Sequence, residues 1–195
     1  ELLPHKDDLV RRVRVAVAES LGNVAKAIKE QDKEKEWPLE LKTAQDVFLD
    51  MVNDQESEVR FASSAMCAAV ATVLGAEWSR QNLVPLLIGL VMDESVGTRV
   101  DLAGTLLELA EPMGPGLALD VFVTELNEAG DCLIKQLLAD ASTNLRLAVI
   151  NKLAGLIDVV GIDKAQPIVA LIRELCDDKN WRVRWAAMML FPSLA

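Results

Sequence analysis

The chain has 195 residues, of which 51% are apolar, so it can bury one good-sized core. Aromatic residues supply only 4% and Tyr is absent; the Ala, Leu and Val that dominate suit closely packed helices and not sheets. A formal charge of −10 repels phosphate backbones, which argues against broad nucleic-acid binding and favours basic patches on protein partners.

In chain order, residues 1–6 are the remnant of a first helix, and a second helix follows around Arg14. Residues 31–37 form a charged linker: Glu30, Asp32, Glu34 and Glu36 alternate with Lys29, Lys33 and Lys35, the pattern of a solvated loop or helix end. Residues 39–53 read as a helix with Leu41, Val47, Phe48, Met51 and Val52 apolar, followed by a helix around Arg60. Residues 82–92 read as another, with Pro85 tolerated near its first turn or kinking it. After a helix around Arg99, the sequence Met113-Gly114-Pro115-Gly116 marks a turn. Residues 116–127 and 131–139 are one broken helix or two short ones. A helix around Arg146 precedes residues 165–176, a helix with an early Pro167, and the last helix carries Arg184.

These elements repeat. Arg14, Arg60, Arg99, Arg146 and Arg184 are separated by 46, 39, 47 and 38 residues. Six residues before each stands Asp8, Asp54, Asp93, Asp140 or Asp178. Two residues after each comes Ala16, Ala62, Ala148 or Ala186, with Asp101 breaking the pattern in the third unit. Seven after comes Leu21, Cys67, Leu106, Leu153 or Phe191, and ten after comes Val24, Val70, Leu109, Leu156 or Leu194. Offsets of three, seven and ten share one helical face, so they predict an apolar stripe. The small Ala lets a neighbouring helix come close. The Asp, just ahead of the helix, is expected to cap its free N–H groups. The Arg is expected to pair with an Asp of its own or the adjacent repeat, giving a structural ladder along the stack.

A period near forty residues is that of HEAT and armadillo-like units. The expected fold is all-α, an alpha-alpha superhelix of HEAT type with about five repeats. Their approximate bounds are 1–37 (partial), 38–78, 79–114, 115–161 and 162–195 (partial). First helices would line one surface and second helices the other. The short loops inside each pair would align along one edge as a ready-made binding ridge.

Catalytic chemistry finds little support. His5 is the only histidine, and no HExxH, P-loop or GxSxG occurs. Cys67, Cys132 and Cys176 are odd in number, far apart and free of any CxxC pair. They read as small buried hydrophobes in a reducing compartment, not as a disulfide framework or zinc site. No cofactor or metal is expected. No run reaches the roughly 18 apolar residues of a membrane span. The chain starts at Glu1 without Met and stops inside an apolar periodic run, which reads as an excerpt from a longer protein. Trp37 and Trp78 stand at helix ends, where they close the core. Trp181 is different: it lies in the loop of the last pair, where the other units have Arg11, Ser57, Val96 and Thr143. It reads as an interface anchor or as the cover of a following repeat.

Three segments carry a family resemblance: Leu145-Arg146-Leu147-Ala148-Val149-Ile150-Asn151-Lys152-Leu153, then Val159-Val160-Gly161-Ile162, then Asp178-Lys179-Asn180-Trp181-Arg182-Val183-Arg184. Together they resemble the scaffold (A) subunit family of protein phosphatase 2A. Asn53-Asp54-Gln55-Glu56-Ser57-Glu58-Val59-Arg60-Phe61-Ala62 resembles an earlier repeat of the same family. The likeness is closest over residues 133–195, partial over 39–92 and slight through 93–132. It implies a non-catalytic scaffold, cytoplasmic and also nuclear, that holds a phosphatase catalytic subunit and a variable regulatory subunit. By motif order the chain resembles repeats seven to eleven of the family's fifteen. The resemblance then places Trp181 and Arg182 on the catalytic-subunit edge. It places Arg11 and Arg12 on the regulatory-subunit edge, where the family has Trp-Arg and this chain departs from it with Arg11. Other HEAT proteins, such as transport receptors or adaptors, are the alternative within the binding class. A HEAT-fold lyase or DNA glycosylase is the enzymatic alternative, and the acidic charge and single His argue against both.

Overall fold

The computed structural model describes His5, Asp8 and residues 10–31, 39–125, 127 and 129–194. The expected helix remnant at 1–6, apart from His5, and the linker with Trp37 lie outside the described residues. Among those described there is helix and no strand, so the fold is all-α, a HEAT/armadillo-like array of helical pairs. Two compact units, Glu1–Thr105 and Leu106–Ala195, divide the chain.

In the first unit α1 (Arg11–Gln31) packs along α3 (Ser57–Ser64) and α4 (Cys67–Leu74), and α2 (Leu39–Val52) packs against α1 and α3. Val17, Ala18, Val47, Met51 and Val59 form a buried cluster where these helices meet. The next first helix starts at Ala76, not at residue 82. It runs as α5 (Ala76–Trp78), a π-helical turn Ser79–Leu83 and α6 (Val84–Leu90). Pro85 explains the widened turn: with no N–H to donate, it cannot continue the regular ladder, and the preceding turn absorbs the mismatch. Then α7 (Val96–Glu108) begins in the first unit and ends in the second.

In the second unit the region of residues 116–139 is two short pieces. After α8 (Ala110–Leu119) a π-helical turn, Asp120–Thr124, ends the first piece. The second is α9 (Leu133–Leu138). The break is held by Asn127, whose Oδ1 accepts from the N–H groups of Ala129 and Asp131. The long α10 (Thr143–Val160) packs against α8, α9, α11 (Gln166–Leu175) and α12 (Trp181–Leu190).

The repeat register extends to the glycines and to the residue before each arginine. Gly75, Gly114 and Gly161 each stand fifteen residues after the repeat arginine. All three have positive φ, at 87°, 76° and 87°, where L side chains are strained. At each the second helix of one pair ends and the first helix of the next begins; at Gly114 this kink lies within α8. The residue before the arginine is a second such feature. Val59, Thr98, Leu145 and Val183 are all fully buried there. They extend the stripe of positions three, seven and ten, in which Val17, Leu102, Val149, Cys67, Leu106, Leu153, Leu109 and Leu156 are buried, whereas Val24, expected on it, is exposed.

Candidate protein-binding ridge

Each intra-repeat loop is built around its aspartate. Oδ1 accepts from the backbone N–H two residues on: Asp8 from Val10, Asp54 from Glu56, Asp93 from Ser95, Asp140 from Ser142 and Asp178 from Asn180, at 2.7–2.8 Å. The expectation that these carboxylates cap the helices is therefore corrected. The helices start three residues after the Asp, too late for it to reach their first free N–H groups. In α10 and α12 capping falls to the residue just before the helix: Ser142 accepts from the N–H of Leu145, and Asn180 from that of Arg182. The Asp instead closes a turn two residues ahead of the cap.

The arginine then ties that turn to its own helix. Nη1 of Arg14, Arg60, Arg99, Arg146 and Arg184 donates to the backbone carbonyl of Asp8, Asp54, Asp93, Asp140 and Asp178, respectively, at 2.6–2.8 Å. The rest of the guanidinium reaches the next repeat. Arg14 donates from Nε and Nη2 to the two carboxylate oxygens of Asp54, at 2.8 and 3.0 Å. Arg60 grips Asp93 the same way. In the second unit, Nε and Nη2 of Arg146 lie 3.2 Å from the Asp178 carboxylate. All three pairs are largely buried. The pairing holds Arg14 and Arg60 above the ordinary guanidinium range, chiefly through the hydrogen bonds they donate to Asp54 and Asp93 and against the opposing effect of burial. For Asp93, burial pushes the carboxyl up, but hydrogen bonds from Arg60 and from the Ser95 N–H outweigh it and hold the group below its usual value. Ladder residues are thus engaged with one another.

What faces outward lies beside the ladder. Two and three residues before the arginine are Arg11 and Arg12, Ser57 and Glu58, Val96 and Gly97, Thr143 and Asn144, Trp181 and Arg182. Arg11 is spent on Glu58, Nε to Oε2 at 3.0 Å, in an exposed pair; Arg12 is exposed. Trp181 is 66% exposed and Trp185, one turn on, 58%. With Arg182 and Ala186 they form one wall of a groove of about 350 Å³, and Leu147 and Asn151 of α10 form the other.

The repeat register tests whether this exposure belongs to the position. At the Trp181 position Arg11 is exposed and Ser57 and Thr143 are half-buried, although α3 packs against α1 and α2, and α10 against both α8 and α12. By contrast Ala18, Ser64 and Ile150, four residues after the arginine, are buried, whereas Met188 at that position is 52% exposed. Met188 is therefore open at a position that its counterparts bury. Trp181 occupies a position that stays at least partly open within the array.

Of the small residues expected to admit a close helix, Ala62 is buried and Ala148 and Ala186 are half-buried, but Ala16 is exposed. The close contact is at Gly22, where an added Cβ would lie 2.4 Å from Cγ and Sδ of Met66. Among the described residues no group of three His, Cys, Asp or Glu side chains is placed to hold a metal ion. His5 is exposed. Cys67 is fully buried, and desolvation, aided by the charge of Asp101, pushes its thiol far above the range in which a thiolate forms. Cys132 is buried and Cys176 half-buried, both as free thiols. No helix among the described residues is long and apolar enough to cross a membrane.

No protein-family model matches the chain, and no curated protein does. Solved structures do match in fold. The MAST/Orbit N-terminal domain superposes with a TM-score of 0.65 at 14% identity, covering 99% of this chain and 81% of that one. An engineered protein superposes with a TM-score of 0.58 at 16% identity, covering 99% and 77%. At these identities the likeness concerns the fold.

Proposed function

We propose that this chain is a non-catalytic protein-binding scaffold, and more finely that it holds a phosphatase catalytic subunit and a regulatory subunit, as the A subunit of protein phosphatase 2A does. The observation that carries the scaffold reading is the Trp181–Trp185 wall. Two tryptophans one helical turn apart lie open beside Arg182, and at the Trp181 position the other repeats carry Arg11, Ser57, Val96 and Thr143, none of them aromatic. Large rigid apolar faces next to a planar cation are the usual anchors of protein interfaces. The phosphatase reading is supported by the segments around Arg146 and Trp181 quoted above, which resemble that family. Trp181 and Arg182 would then meet the catalytic subunit. Arg12, exposed in the first turn of α1, would be the cation that meets a regulatory subunit, since Arg11 is already engaged with Glu58.

The test measures the affinity of purified phosphatase 2A catalytic subunit for the intact protein carrying this sequence, wild type and Trp181→Ala. Truncating an anchor of this kind weakens binding by about 2 kcal/mol, roughly thirtyfold. Helicity by circular dichroism should be unchanged, because Trp181 is exposed. Absence of binding by the wild type would refute the phosphatase reading. Binding that Trp181→Ala leaves within about twofold would remove the tryptophan from the interface.

A further inference from the structure

We propose that the groove between α1 and α3 is a second docking site, for a partner segment in which an apolar side chain is flanked by arginine or lysine. The groove has a volume of about 360 Å³ and lies wholly within the first unit. Val15, Phe61, Ala62 and Met66 give it an apolar floor, and Glu19 and Glu58 stand at its rim. Phe61 is 45% exposed, an unusual position for a phenylalanine that has a core available beside it. Gly22 contributes by absence: lacking a Cβ, it lets Met66 lie directly against α1 and complete the floor.

Repeat register makes this groove the counterpart of the tryptophan groove. In each, one wall comes from residues one and five after the arginine: Val15 and Glu19 here, Leu147 and Asn151 there. The other wall comes from residues two before and one after the next arginine: Glu58 and Phe61 here, Arg182 and Trp185 there. The apolar position is kept, while the charge is reversed. A groove that is apolar below and carboxylate-rimmed above, on a chain of net charge −10, complements a segment that is apolar with basic flanks.

The chain itself shows the pairing. Arg11 lays its guanidinium on Glu58 at 3.0 Å, with the two side chains 50% and 56% exposed. A pair this exposed contributes little to stability, so an incoming guanidinium can take Arg11's place. Arg11 is then an internal competitor and not a partner contact. This inference uses neither Trp181 nor a phosphatase, and it stands or falls apart from that reading.

The experiment is fluorescence anisotropy on the whole chain, with a labelled peptide carrying Arg-Leu-Arg in an Ala-rich frame and a Glu-Leu-Glu peptide as its control. Lys152 and Glu108 supply matched control variants. They form an ion pair in the second unit at 2.8 Å, with side chains 45% and 53% exposed, so changes there alter net charge equally but not the groove. The basic peptide should bind and the acidic one should not. Glu58→Gln should weaken binding roughly threefold and Arg11→Ala should tighten it by a similar factor, while Glu108→Gln and Lys152→Ala leave it unchanged. Phe61→Ser should weaken it about tenfold. Equal effects of the groove and control variants would show attraction by net charge alone and overturn the proposal. So would a Phe61→Ser variant that binds as wild type, or no binding of the basic peptide.

Discussion

Arg60 and Asp93, 33 residues apart in sequence, are joined by two hydrogen bonds from Nε and Nη2 of the guanidinium to the two carboxylate oxygens. The same arginine holds the carbonyls of Asp54 and Gln55 with Nη1, and the same aspartate accepts from the N–H of Ser95. One pair therefore closes two loops and the contact between them.

Removing one member strands the other. Asp93→Ala should cost about 3–5 kcal/mol, because the largely buried Arg60 guanidinium loses its counter-charge and the loop loses its turn. Arg60→Ala should be costly for the same reason. The double variant should be clearly less destabilised than the sum of the two. Urea denaturation of the four proteins in the cycle measures this, and strict additivity would mean the pair is not coupled.

Asp93 also sets an acid limit. Its carboxyl is held below the ordinary value in the folded chain, so the unfolded state binds the proton more readily. Its contribution to stability is present above the unfolded pKa of about 4 and is lost as pH falls through the lower folded value. Melting temperature should drop on acidification below about pH 4, and the drop should be shallower in Asp93→Asn.

Leu153 lies on the buried stripe, seven residues after Arg146, and is fully buried. Leu153→Ala should cost about 2–5 kcal/mol. A denaturation midpoint that does not move would mean that α10 can collapse around the space.

Gly161→Ala isolates a backbone effect. The residue has φ 87° and ψ 140°, and an added Cβ would meet no atom within 4 Å. The expected cost, about 1–3 kcal/mol, comes from the dihedrals alone. Gly155 in α10 likewise leaves an added Cβ clear of contacts, but no positive φ strains it, so Gly155→Ala should be neutral or stabilising by up to about 1 kcal/mol. Equal stability of the two variants would contradict this.

The sequence made the repeat legible because Arg, Asp and the stripe recur at fixed offsets within one helix, where periodicity is rigid. It did not reveal what the aspartate does. Its distance from the arginine was plain, but the helix start was not, and a shift of two residues separates a cap from a turn. The glycines fifteen residues after Arg60, Arg99 and Arg146 were legible in principle from their constant offset, but they lie beyond the stripe. The break between α8 and α9 was ambiguous because its decisive feature is a side-chain bond, Asn127 to Ala129 and Asp131, which leaves no periodic trace. Trp181 stood out as an oddity of composition. Whether its position is open could be read only from the burial of its counterparts.

Within each unit the described ladder is directional: an arginine always reaches forward to the next aspartate. Each of these three joints thus has one plug and one socket of identical chemistry. A gene that gains or loses a whole repeat leaves the joint chemically intact, whereas a deletion within a repeat leaves a charge without its mate. The length of such an array can therefore change in units of one repeat without disturbing a joint, and the outward residues beside it, such as Glu58 and Arg182, take no part in the joint itself.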